Sequence, residues 1–70
     1  MSRDSDPVSF EGVEVLRATD LALKCKIDGE KAWIPKSQIL DGSNFGDDSE
    51  EGDEGELIIP EWLAIEKELV

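Results

Sequence analysis

The sequence predicts a mainly β domain, a β-meander or small barrel with one short C-terminal α-helix. Three observations carry this. Leu21, Leu23, Cys25 and Ile27 alternate with Ala22, Lys24 and Lys26, the period-2 pattern of a half-buried strand. Asp28-Gly29 follows, a pair suited to a two-residue hairpin turn, whose central positions both need positive φ. From Pro60 onward the apolar residues recur at helical rather than alternating spacing.

The hairpin is the best-specified element. After the turn the chain returns through Lys31, Ala32, Trp33 and Ile34, and Pro35 ends the strand because it has no N–H to donate. In that register Ile27 faces Glu30, Cys25 faces Ala32 and Leu23 faces Ile34. Leu23, Cys25, Ala32 and Ile34 then share one face, with Lys24, Lys26, Lys31 and Trp33 on the other.

Val8 to Ala18 reads as the preceding strand, with Gly12 marking a bulge or sharp bend. Thr19-Asp20 is a weaker turn signal, since neither residue enters positive φ freely. A two-residue turn there sets Leu16 opposite Leu23 and Ala18 opposite Leu21. It predicts one inner face of Leu16, Ala18, Leu21, Leu23, Cys25, Ala32 and Ile34. Val13 and Val15 then fall outside, with Arg17 and the lysines.

Pro35 to Leu40 suits a single helical or 3₁₀ turn, with Ile39 and Leu40 folded onto the core. Leu57-Ile58-Ile59 is a short apolar strand, expected beside the first or third strand with Ile58 inside. A helix over 60–69 follows. Pro60 suits its first position and Glu61 the positive end of its dipole. Trp62, Ile65 and Leu69, with Leu63 and Val70, form the apolar stripe expected to cap one end of the barrel. Residues 1–8 read as a flexible terminus and 9–70 as a single domain, with a flexible acidic loop over 41–56.

Seventy residues allow one small domain, burying only about 60% of its unfolded surface. The single cysteine, Cys25, cannot form an internal disulfide and reads as a small buried hydrophobe. The lack of disulfides, of a signal peptide and of a long apolar run makes a cytoplasmic location the expectation. The net charge of −11 is unevenly placed: residues 1–40 carry seven acids against six bases, residues 41–70 eleven against one. Such a field repels nucleic acid and anionic membrane and attracts basic partners.

The acid is concentrated in Asp41 to Glu56, which holds eight carboxylates, four glycines and one apolar residue, Phe45. Asp47, Asp48, Glu50, Glu51, Asp53, Glu54 and Glu56 are the partner-binding candidates. A calcium loop starting at Asp47 puts Ile58 where a bidentate Glu is required, so no metal site is assigned. A second candidate surface is the outer hairpin face, where Arg17, Lys24, Lys26, Lys31 and Trp33 combine cations with a stacking ring suited to a nucleic acid strand. With no histidine and no tyrosine, and no Ser or Cys with a recognisable base, no catalytic residue and no cofactor are assigned.

The run Ala32-Trp33-Ile34-Pro35-Lys36-Ser37-Gln38-Ile39, the acidic gap, and Ile58-Ile59-Pro60-Glu61-Trp62-Leu63-Ala64 resemble a type of small acidic protein of bacteriophages and prophages. The resemblance spans roughly residues 10–70. It implies an SH3-like or OB-like barrel with a C-terminal helix. The ending Glu68-Leu69-Val70, which lacks glycine, departs from it. The expectation favoured is a non-enzymatic interaction protein that inhibits a nucleic-acid-handling host protein through its acidic loop and helix face. The alternative is a single-stranded DNA- or RNA-binding barrel; no membrane partner is expected.

Overall fold

Asp28 and Gly29 adopt φ of 51° and 85°, so the chain reverses there in a two-residue turn. This is a computed structural model, which describes residues 6–69. Strands β2 (Ala22–Ile27) and β3 (Glu30–Pro35) pair antiparallel with Leu23 opposite Ile34, Cys25 opposite Ala32 and Ile27 opposite Glu30. The expected hairpin register is the observed one. Leu23, Cys25 and Ile34 are fully buried, while Lys31 and Trp33 are exposed.

Strand β1 (Pro7–Ala18) pairs with β2, but not in the register read from a turn at Thr19-Asp20. Ala18 lies opposite Leu23, Arg17 opposite Lys24 and Val15 opposite Cys25, with Leu16 as an extra residue between. This bulge inverts the alternation along β1. Val13 and Val15, expected outside, are in the core at 0% and 1% exposure, and Leu16 is only half-buried. Leu21, expected inside, is 81% exposed. The connection is wider than two residues and is closed by Thr19, whose Oγ1 donates to the Ala22 carbonyl oxygen and accepts from its N–H.

Strand β4 (Glu54–Pro60) pairs antiparallel with the other side of β1, with Phe10 opposite Leu57 and Val8 opposite Ile59. The sheet bulges between Phe10 and Val13, where Gly12 takes φ 67°, as its isolated position in the strand predicts. Leu57 and Ile59 are buried; Ile58, expected inside, points the other way and lies beneath Gly42. Strand order is β3-β2-β1-β4, an open sheet. A barrel would need β3 to reach β4, but the outer edge of β4 is already taken. Leu40 N donates to Ile58 O and Asn44 N to Glu56 O, both at 2.8 Å.

A 3₁₀ turn at Lys36–Gln38 follows β3, as expected, and Ile39 packs against the core. Helix α1 covers Glu61–Glu66 rather than 60–69, with Pro60 as its N-cap residue and Glu61 N bonded to Asp6 O at 2.8 Å. Glu68 at φ 60° stops it, and Leu69 N reaches back to Ala64 O and Glu68 N to Ile65 O. This is a Schellman ending, which turns Leu69 onto the core. So short a helix buries only one edge. Leu63 and Ala64 face the sheet, while Trp62 and Ile65, two of the five residues of the predicted stripe, are exposed. Val70 and the first five residues of the predicted flexible terminus lie outside the described residues, whereas Pro7 and Val8 belong to β1.

Candidate functional site

The acidic segment is built on an apolar anchor. Phe45 enters the core at 6% exposure, and the residues beside it are fastened to β4. The Ser43 hydroxyl donates to Glu56 O at 3.2 Å and accepts from Ile58 N at 3.3 Å. Asn44 Oδ1 accepts from Glu56 N at 2.7 Å. The amide of Asn44 can lie there only because residue 55 is glycine; a Cβ on Gly55 would stand 2.6 Å from Asn44 Oδ1.

Further along, Ser49 Oγ accepts from Gly46 N at 2.8 Å, and Asp53 Oδ2 accepts from Glu50 N at 2.9 Å. Gly52 N donates to Val15 O and Val15 N to Asp53 O, both at 2.8 Å, which continues the β1–β4 pairing into the loop. Asp47, Asp48, Glu50, Glu51, Asp53 and Glu54 are exposed and Glu56 is half-buried. Residues 54–56, read from the sequence as loop, are the start of β4.

The seven candidates therefore divide. Asp53 closes a turn with its carboxylate, whereas Asp47, Asp48, Glu50 and Glu51 make no side-chain hydrogen bond among the described residues and are exposed. Asn44, Gly46, Asp47, Asp48, Ser49 and Asp53 line an open groove of about 380 Å³. Among the described residues no group of three Asp, Glu, Cys or His side chains is arranged to hold a metal. Ser43, Asn44 and Ser49 were not singled out from the sequence. Their signal is the habit of Asn and Ser to bond nearby backbone, which marks them as turn formers beside glycine.

On the outer sheet face, Arg17, Lys24 and Trp33 lie directly opposite one another across β1, β2 and β3. At strand spacing this row spans about 10 Å. The next row runs Glu54, Glu14, Lys26, Lys31 from β4 to β3. The five predicted cationic and aromatic residues are thus brought onto one face. Carboxylates share it, Glu14 and Glu54 among them, and Trp33 is 43% exposed. The face is graded: acidic at the β4 side, basic at the β3 side.

Cys25 is fully buried, and burial pushes its thiol up to about 11. It stays protonated at neutral pH and is no nucleophile. No helix among the described residues is long and apolar enough to cross a membrane. No protein-family model matches the chain, and neither a curated protein nor a solved structure is significantly similar to it.

Proposed function

We propose that this protein is a non-catalytic interaction module that presents its acidic loop, with the exposed face of α1, to a basic protein surface. The observation that carries the reading is the mounting of the charge. Asp47, Asp48, Glu50 and Glu51 are exposed on a segment whose backbone is tied down by Phe45, by Ser43 and Asn44, and by the Val15 bonds to Gly52 and Asp53. Carboxylates on a fastened backbone keep a spacing that a basic groove can match, with less ordering entropy lost on binding than from a free tail.

The partner class that fits is a nucleic-acid-handling protein, whose own ligand is a polyanion. A bacteriophage inhibitor of such a host protein, acting in the host cytoplasm, accords with the Trp33-Ile34-Pro35-Lys36-Ser37 and Ile59-Pro60-Glu61-Trp62-Leu63 resemblance. Exposed Trp62 and Ile65 on α1, with Glu66, supply apolar area and charge of their own.

The Arg17–Lys24–Trp33 row favours a second reading, in which a single nucleic acid strand lies along the outer sheet face. Glu14 and Glu54 on that face, and the net charge of −11, weigh against it. The readings are separated by pull-down from a bacterial lysate, with and without nuclease treatment, using wild type and a variant with Asp47 and Asp48 changed to Asn and Glu50 and Glu51 to Gln. The acidic-module reading expects a nuclease-resistant protein partner that the variant loses. Full retention by the variant would overturn it.

A further inference from the structure

The two edges of the sheet differ. The outer edge of β4 is occupied by Leu40, Ser43 and Asn44. Among the described residues the outer edge of β3 is not. In a two-residue hairpin the pair flanking the turn, here Ile27 and Glu30, exchanges both backbone bonds, and every second pair does so after it. Cys25–Ala32 and Leu23–Ile34 are therefore bonded pairs, and Lys36 N donating to Leu21 O at 2.8 Å keeps the same phase. Lys31 and Trp33 consequently turn their N–H and C=O groups away from β2, off the sheet. Among the described residues no backbone group outside the strands bonds to either.

We propose that this edge docks an extended acidic peptide segment, which adds to the sheet as a fifth, antiparallel strand. The backbone supplies the sites, and the side chains select the chemistry. Residues of the incoming strand opposite Lys31 and Trp33 emerge on the outer face, next to Lys31, with Lys24 and Lys26 one strand further in on β2. Carboxylates there meet the Lys31 ammonium directly, and the long stems of Lys24 and Lys26 bring two more cations toward them. The residue between them lies opposite Ala32 on the inner face, where a small apolar side chain fits.

Glu30 and Asp28 stand at the turn end, so the acid belongs opposite Lys31 and Trp33 and not beyond. Counted from the docked strand, Glu14 is three strands away, about 14 Å, and Glu54 four, about 19 Å. Both distances exceed the screening length of about 8 Å at physiological salt, so these carboxylates repel a short peptide only weakly. A second copy of β3 is the poorer occupant, because a two-fold pair gathers the lysines of both copies on one face. The proposal does not rest on the acidic-loop reading.

The test titrates the ¹⁵N-labelled protein with a capped nine-residue peptide alternating Glu and Val, and with its Lys-for-Glu counterpart. The acidic peptide should slow exchange of the Lys31 and Trp33 amides by about tenfold or more, bind more weakly as salt rises, and outbind the basic one. Trp33→Pro deletes an outward N–H and no hairpin bond, whereas Trp33→Ala removes the ring and keeps the N–H. Trp33→Pro should bind at least about tenfold more weakly than Trp33→Ala.

If Trp33→Pro fails to fold, Lys31→Glu provides the check: preference should swing to the basic peptide. Equal binding of both peptides overturns the proposal, as does binding that leaves the Lys31 and Trp33 amides unchanged, or no binding at millimolar peptide. Protection of these amides that rises with protein concentration alone would assign the edge to a second copy, and also overturns it.

Discussion

Glu68 occupies φ 60°, the left-handed position that ends α1 and that favours glycine. A side chain there carries strain of about 1 kcal/mol, so Glu68→Gly should raise stability by about 0.5–1 kcal/mol in urea unfolding. A loss of stability would mean that the helix does not end in a Schellman turn. Cys25 yields a prediction in pH. Its thiol is raised by burial from 9.0 to about 11, so the folded state holds the proton more tightly than the unfolded chain. The stability this contributes is fully present below pH 9 and is lost as pH rises toward 11. Urea titrations of wild type against Cys25→Ala should therefore show a difference that is constant below pH 9 and changes against wild type above it. A pH-independent difference throughout would contradict the burial of the thiol.

Among the elements, the acidic loop depends on two residues that its composition hides. Phe45→Ala should cost about 3–5 kcal/mol, most of the stability of so small a domain. Gly55→Ala drives a methyl into Asn44 and should cost about 1–3 kcal/mol. It should also speed amide exchange at Glu56 and Ile58, whose N–H groups are bonded by Asn44 and Ser43. Unchanged exchange there would show that the loop does not close the β4 edge.

The β2–β3 hairpin was legible because alternation and the Asp28-Gly29 turn specify the same register. The first β1 bulge was legible through Gly12. The second, at Leu16, carries no glycine, and its inversion of the face put Val13 and Val15 on the wrong side. The predicted helix stripe assumed a helix lasting to residue 69; once Glu68 ends it, Leu63 and Ala64 are the side chains that reach the sheet. In residues 41–56, eight acids outweigh one phenylalanine in any compositional reading, although Phe45 is what anchors the segment. The candidate residues themselves were legible, because charge and exposure coincide on polar segments. The division of labour that makes Asp53 a turn former was not, because it depends on a contact three residues away.

On the outer sheet face charge runs from β4 to the basic rim of β3, and the acidic loop, to whose Asp47 O Lys36 Nζ donates at 3.4 Å, is a second surface of opposite character. The central claim is that the acidic one is the working surface. It is tested most directly by the affinity of wild type, and of the variant neutralised at Asp47, Asp48, Glu50 and Glu51, for a short single strand at two salt concentrations. The fold should persist in the variant, with stability equal to or slightly above wild type, since like-charge repulsion falls. If the acidic loop is the working surface, neither protein binds the strand measurably even at low salt. Strand binding that tightens on neutralisation and weakens by about 1–3 kcal/mol in Trp33→Ala would contradict the claim and place nucleic acid on the Arg17–Lys24–Trp33 row.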